Sequence, residues 1–302
     1  MIGYLIQAHA NPAQLLRLVE ALQSPVARTW IHIDRKADRA PFETAIGARA
    51  AFLDDRIAVH WGGWSQVQAT LNLMRRALRD APDLTHLALL SGADYPLSSP
   101  ETLRDYLRTS GQEHIDTAPF PSVELKKPWS RIAKRFVEGG DRGGSVKARA
   151  IRLLNRALRL LPDRAVDRRL GGLTLHTGGS WWVMSADAAR AVLDLVDSGH
   201  PSLALFRSAR CPDEMFFQTL LCSGLTTRPI GCALTWADWS RHSASPEVLN
   251  ERHLALFADP NFRLEGIHGA GPCFFVRKMP ADDARMAERL RELWCKPNMT
   301  AT

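Results

Sequence analysis

The sequence contains no GxGxxG, no GxxxxGK[ST], no GxSxG and no HExxH. The common dinucleotide, P-loop, esterase and zincin readings therefore lack their mechanical parts. Asp-x-Asp is also absent, so a diphosphate would have to be met by protein cations rather than by a carboxylate-held divalent ion. The five cysteines, Cys211, Cys222, Cys232, Cys273 and Cys295, are odd in number and show no CxxC pair. Neither a disulfide framework nor a zinc site is indicated, and a reducing, cytoplasmic setting is expected. No segment approaches the ~20 apolar residues of a membrane span. The opening MIGYLIQAH carries no basic n-region or cleavage site and reads as a first buried strand. Any membrane contact is expected to be peripheral, at the inner face.

What is present suits a globular α/β protein. Of the 302 residues, 45% are apolar, enough to bury a substantial core. Strand-like runs at 2–8, 27–34, 57–61 and 86–92 alternate with helical spacing at 13–23 and 64–80. This is a βαβα series around a largely parallel sheet. Ligands on such sheets sit beyond the carboxyl ends of the strands, which directs attention to Gln7–His9, His32–Asp34, His60–Trp64 and Gly92–Tyr95. Further on, LTLHTGGSWWVMS (173–185) reads as sheet and the run after it as a helix capped by Ser185. ALTWADWS (233–240) and CFFVRKM (273–279) follow. No repeat or low-complexity linker interrupts the chain, so residues 1–300 are expected to form a single domain, with 1–110 a nucleotide-binding half and 111–300 an acceptor and catalytic half.

The formal charge of +7 is concentrated between Lys126 and Arg169, where fourteen Lys and Arg face four Asp and Glu. Such a field attracts phosphate, anionic glycans, nucleic acid or an acidic lipid surface without choosing among them, and also suits a solvated helix face. Within it, Ile151, Leu154, Leu158 and Leu161 are expected on a core-facing side of a helix, with Arg149, Arg152, Arg156 and Arg159 largely opposite.

Several residue groups can carry chemistry. In CPDEMFFQTLL (211–221), Asp213 suits the first turn of a helix, where a carboxylate favours the terminal amides. Glu214 can act as a general base if it borders a pocket. Arg277 and Lys278, at the end of a buried-looking strand, can meet a diphosphate or form a plain surface pair. Trp61 and Trp64 flank two glycines and can stack on a base or sugar, or serve as core and hinge. His9, His32 and His60 lack metal-ligand spacing and read as satisfied, partly buried histidines.

The ordered set QAH (7–9), HIDRK (32–36), VHWGGWSQVQATL (59–71), LLSGADYPL (89–97), GGSWWVMS (178–185), PDEMFFQT (212–219) and FVRKM (275–279) resembles the core-2/I-branching β-1,6-N-acetylglucosaminyltransferase and peptide O-xylosyltransferase family, from about residue 2 to about residue 280. The resemblance implies a GT-A-type α/β fold with a Rossmann-like mixed sheet flanked by helices. It further implies a UDP-sugar donor and an inverting transfer to a hydroxyl of a glycan or other acceptor, with no metal ion or other cofactor and no nucleic-acid partner. By residue-wise match, Gln7 and Trp61 frame the uracil and ribose, Asp34 contacts the nucleoside, and Lys278, with Arg277 beside it, contacts the diphosphate. Glu214 matches the general base, while Asp116, Arg131 and Trp239 match acceptor-side positions. Lumenal members carry a membrane anchor and many disulfides. Neither is expected here, and a bacterial-type cytoplasmic enzyme, of the kind that builds a surface polysaccharide, is the expectation. The PDE motif leans toward the branching enzymes, and UDP-GlcNAc and UDP-xylose both stay open as donors. The alternatives are a non-catalytic glycan- or anion-binding protein on this scaffold and, more weakly, a carboxylate-pair glycoside hydrolase.

Overall fold

The computed structural model describes residues 1–140, 144–241, 245–281 and 283–294. Asp141 to Gly143 of the glycine-rich loop, Cys295 and the end of the expected 1–300 domain lie outside the described residues.

The first four strands are β1 (Ile2–Ala8), β2 (Ala27–Ile33), β3 (Ala51–Phe52) and β4 (His86–Ser91). They are followed by β5 (Asp94–Pro96), β6 (Glu113–Ile115), β7 (Ala118–Pro119), β8 (His176–Thr177), β9 (Trp182–Ser185) and β10 (Ile230–Gly231). The last four are β11 (Thr235–Ala237), β12 (Leu264–Gly266), β13 (Gly269–Gly271) and β14 (Phe275–Arg277). Seven of these form one sheet in the order β10-β6-β9-β4-β1-β2-β3. β1 runs parallel to β2 and β4, whereas β9 is antiparallel to both β4 and β6, so the sheet is mixed. Because β9 and β6 from the second half continue the sheet of the first half, the chain is a single domain.

β1 shows why the centre of the sheet is hydrophobic on both faces. All its residues but Gln7 are buried, as a central strand covered by helices on each side requires. Gln7 is the partly exposed break in that run, at the carboxyl end. The helices begin where the sequence supplies partners for the first N–H donors. Asn11 accepts from the Gln14 N–H ahead of Pro12–Ala21, Ser99 from Thr102 ahead of Pro100–Ser110, and Ser185 from Ala188 ahead of Ala186–Asp197. The helix Trp64–Asp80 has no such cap of its own. Instead the distant Glu138 carboxylate accepts from the Ser65 N–H at 3.0 Å and the Ser65 hydroxyl at 2.8 Å, placing negative charge at a helix N-terminus.

Two expectations need correction. The run Ile57–Trp61 is not a strand; the sheet's edge is β3, paired with Trp30 and Ile31. Ile57 N–H donates to His32 Nε2 at 2.9 Å and Val59 N–H to Asp34 Oδ1 at 3.4 Å. Side chains at the end of β2 thus take the donors that a ladder would have used, and the segment runs past the sheet toward its rim. The second correction concerns the helix Val146–Leu160. Only Ala148 is buried, Ile151 and Leu158 are partly covered, and Leu154 and Leu161 are exposed. The predicted face does not enter the core.

A smaller sheet, β11-β14-β5, pairs β14 antiparallel with β5, so that Arg277 stands opposite Asp94, and parallel with β11, so that Ala237 aligns with Arg277. It rests on a cluster that includes Tyr95, Val276, Met279 and Leu290. This places the end of the VRK strand beside the loop that follows β4, where the backbone N–H of Gly92 reaches Gln7 O at 2.9 Å and that of Met279 reaches Ala93 O at 2.8 Å.

Candidate active site

Pro212–Glu214 is a single 3-10 turn, entered through Cys211 in the left-handed region at φ 53° and left at Met215 before the short helix Phe216–Leu220. Cys211 N–H bonds to Gly62 O at 2.8 Å, tying the turn to the Gly-Gly pair between Trp61 and Trp64. Gly178 N–H and the Thr177 hydroxyl both donate to Glu214 O, at 3.0 and 2.7 Å. The backbone of Glu214 is thereby fixed from both sides. Met215, Phe216 and Phe217 are buried in the main core, which anchors the turn from below.

The two acids face different surroundings. Asp213 does not cap the helix, contrary to expectation. Its Oδ2 accepts from Gln66 Nε2 at 3.1 Å and from the Ser180 hydroxyl at 2.7 Å, while its Oδ1 is shut off from solvent without a partner. The residue as a whole is only partly buried, but the carboxylate points inward, and burial together with the neighbouring Glu214 charge pushes its pKa up to about 6.

This gives a testable pH dependence. Asp213 holds its proton longer in the folded chain than in the unfolded one, so its contribution to stability is complete below the ordinary carboxylate value of 3.8 and is lost as pH rises to about 6. Asp213→Asn cannot ionise, and denaturant titrations should show the variant gaining on the wild type between pH 4 and pH 7. An unchanging difference over that range would exclude this role for Asp213.

Glu214 turns toward solvent, its side chain 29% exposed. Lys127 Nζ lies 3.1 Å from Oε2, and Arg131 Nη1 donates to the same oxygen. Both cations engage Oε2, which leaves Oε1 without a hydrogen-bond partner among the described residues. Lys127 is itself buried and also donates to Gly178 O. Asp116 adjoins this cluster. Burial holds its carboxyl above the usual range against the pull of the Ala233 amide, His268 and Lys127. Its carbonyl oxygen lies so near Gly178 that a Cβ there would stand 1.6 Å away, which is why the strand before β9 is approached at a glycine.

A second cationic group lies at the end of β14. The Arg277 guanidinium stacks over the Trp181 ring at 4.3 Å and is 3.6 Å from Asp94 Oδ1. Its Nε and Nη1 are buried with no hydrogen-bond acceptor. Asp94 is completely buried and accepts from the Ser91 N–H at 2.8 Å and the Ser91 hydroxyl at 2.6 Å. Burial still pushes its carboxyl pKa up. The neighbouring Lys278 ammonium has no hydrogen-bond or ion-pair partner among the described residues. Consecutive residues connect the two groups, because Trp181 lies under Arg277 and the preceding Ser180 holds Asp213.

The remaining predicted residues sit around this frame. Gln7 Nε2 donates to Gln66 O at 3.1 Å and to Thr70 Oγ1 at 2.7 Å, so Gln66 links Gln7 with Asp213. Asp34, almost fully buried, accepts from the Lys36 N–H at 2.9 Å, with Lys36 Nζ 3.5 Å from its other oxygen. His32 is neutral and satisfied, its pKa lowered to about 4 chiefly by burial. Trp61 and Trp239 stand at the rim, 56% and 53% exposed, and Trp239 lies two residues beyond the Ala237–Arg277 pairing. The structure thus joins Asp116, Arg131 and Glu214 in one cluster and Arg277 and Lys278 in another. Sequence reading missed Lys127, Gln66, Ser180, Trp181 and Asp94. Gln66, Asp94, Ser180 and Trp181 had a signal, since they lie inside VHWGGWSQVQATL, LLSGADYPL and GGSWWVMS; Lys127 had none of that kind. Among the described residues, no three His, Cys, Asp or Glu side chains converge as a metal-binding set.

A mixed α/β sheet with a partly exposed carboxylate and two cationic groups beyond its strand ends defines a candidate group-transfer enzyme. The chain belongs to the Core-2/I-Branching enzyme family, whose model matches residues 2–255, and so to a family of glycosyltransferases. A β-1,3-galactosyl-O-glycosyl-glycoprotein β-1,6-N-acetylglucosaminyltransferase from Bos taurus is 29% identical over 136 residues, 43% of this chain and 32% of that protein. A probable β-1,3-galactosyl-O-glycosyl-glycoprotein β-1,6-N-acetylglucosaminyltransferase 7 from Homo sapiens is 21% identical over 226 residues, 72% of this chain and 49% of that protein. The chain spans about a third to a half of the length of these relatives. The crystal structure of a mannose-1-phosphate geranyltransferase from Thermus thermophilus, 13% identical, overlaps 66% of this chain and 64% of that one with a TM-score of 0.28, a likeness too slight to carry any argument.

Proposed function

We propose that this chain is an inverting glycosyltransferase on a GT-A-type scaffold, moving a sugar from a UDP-sugar to an acceptor hydroxyl without a metal ion. The arrangement of Glu214 carries this reading. Its Oε2 is held by Lys127 and Arg131 while Oε1 is left open. The cations balance the charge of the carboxylate and fix its direction, and the open oxygen can take the proton of an acceptor hydroxyl as that oxygen attacks the anomeric carbon. The C–O bond to the leaving UDP breaks as the new one forms, so a single displacement inverts the configuration. Asp116, Arg131 and the exposed ring of Trp239 would meet the acceptor.

On the donor side, Gln7, Asp34 and Trp61 would receive the nucleoside. Arg277 offers two donors that lack acceptors, and Lys278 offers an ammonium with no partner among the described residues. These are the charges a departing diphosphate needs when no ion is bound. UDP-GlcNAc is the favoured sugar, because the curated relatives are named as N-acetylglucosaminyltransferases; UDP-xylose is the second choice.

Thermal shifts with UDP, UDP-GlcNAc, UDP-xylose, UDP-glucose and UDP-galactose, each with EDTA and with Mn²⁺, test the donor and the metal together. A ligand at a hundred times its Kd stabilises by about 2.7 kcal/mol. The largest shift is expected with UDP-GlcNAc and should be the same in EDTA. Transfer that requires Mn²⁺ would refute the metal-independent mechanism, and the absence of any shift with all five would refute the donor class.

A further inference from the structure

The helix Val146–Leu160 has two apolar faces, and only one of them meets the protein. The inner face is formed by Ala148, Ile151, Asn155 and Leu158, and Asn155 holds it by bonds to the backbone of Val137, with Val137 N–H donating at 2.9 Å and Asn155 Nδ2 donating to Val137 O at 2.8 Å. The outer face carries Val146, Leu153 and Leu160, spaced at seven residues and therefore nearly aligned. They are 82%, 62% and 88% exposed. Leu154 and Leu161 extend the stripe on one side, with Ala150 and Ala157 between them and the three aligned residues.

Charge surrounds this stripe. Arg149 and Arg156 border it on one side, with Arg152 and Arg159 beyond them, and Lys147 lies on the other side. The helix contains no Asp or Glu. At its carboxyl half, Arg135, Arg159 and Arg210 line a cleft together with Lys134, whose ammonium is paired with Asp163 at 2.8 Å. A contiguous row of exposed leucines is unusual on a monomeric surface. Cations alone would suit nucleic acid or an acidic protein, but neither supplies an apolar phase for leucines set between arginines. An acidic bilayer supplies both, with anionic headgroups at the level of the arginines and acyl chains beneath.

We infer that the outer face of this helix docks on an anionic lipid surface, with Val146, Leu153 and Leu160 entering the headgroup boundary. This docking is independent of the transfer reaction. It has a positional consequence, because Val137 adjoins Glu138, whose carboxylate caps the helix Trp64–Asp80 at Ser65. Docking would therefore hold the Trp61–Trp64 rim near the lipid.

Flotation of the full chain with phosphatidylcholine vesicles, with and without phosphatidylglycerol, tests this at physiological ionic strength. Binding is expected only to the anionic vesicles. Leu153→Gln with Leu160→Gln should weaken it about tenfold or more, while retention on heparin stays unchanged. Arg149→Gln with Arg156→Gln should weaken both. Absence of vesicle binding by the wild type, or equal vesicle binding by the wild type and the leucine variant, would overturn the inference, the latter by reducing the contact to charge alone.

Discussion

Glu214→Gln should lower the rate of sugar transfer by about 10²- to 10⁴-fold, the usual range for removal of a positioned general base, with UDP binding close to that of the wild type. The amide has nearly the same shape as the carboxylate and can still accept from Arg131, so the turn Pro212–Glu214, fixed through the Glu214 carbonyl by Gly178 and Thr177, should keep its geometry. What it loses is the capacity to take a proton at Oε1. The variant also leaves Lys127, which is buried, facing a neutral group, and some loss of stability is expected on that account. Measuring kcat and KM alongside calorimetric UDP binding separates the two effects. A fall confined to kcat marks a group that acts in the transition state, whereas a fall traced to misfolding would reduce UDP binding in step. Transfer within a few-fold of the wild type would remove Glu214 from the mechanism and leave the reading without its base.

How far the sequence was legible differs between the sheet and the site. β1, β2, β4 and the helix Trp64–Asp80 could be read because burial imposes a period on the sequence, and they occur within a residue or two of where periodicity puts them. Ile57–Trp61 misled because its apolar character suits a strand equally well. Its Ile57 and Val59 N–H donors go to the side chains of His32 and Asp34, a tertiary arrangement that no local pattern announces. The helix Val146–Leu160 misled for a related reason: with leucines at both 153 and 160 and at 154 and 158, its wheel offers two apolar faces, and the packing of Ile151 against Gly139 and Gly140 and of Asn155 against Val137 decides which lies inward. In the site, Glu214 and Asp213 were visible as a pair but not as unequal partners. The inequality comes from Gln66 and Ser180 on one carboxylate and from Lys127 and Arg131 on the other. The residues bonded to Asp213 are 33 and 147 positions away from it, and Arg131 is 83 away from Glu214, so no single motif contains both members of any of these pairs.

Lys278→Ala and Arg277→Ala should fail in different ways, although the two residues are adjacent. Lys278 has no partner among the described residues, so its removal strands no buried charge, and stability should change by no more than about 0.5 kcal/mol. If its ammonium meets the diphosphate, the developing negative charge of the leaving group loses a counter-charge, and kcat/KM should fall by about 10²- to 10³-fold, comparable to loss of a single preorganised donor. Arg277 does more than face the donor. It lies over Trp181 and supplies the positive charge nearest the completely buried Asp94. Removing one partner of such a pair costs about 3–5 kcal/mol, so Arg277→Ala should unfold at markedly lower denaturant concentration as well as lose activity. Adding Asp94→Asn to Arg277→Ala withdraws the stranded charge, and the double variant should recover part of the stability but none of the transfer. Recovery of transfer in that double variant would mean that Arg277 serves only the fold. Wild-type kcat/KM in Lys278→Ala would mean that Lys278 does not meet the diphosphate, and the metal-independent mechanism would then lose the cation it most needs.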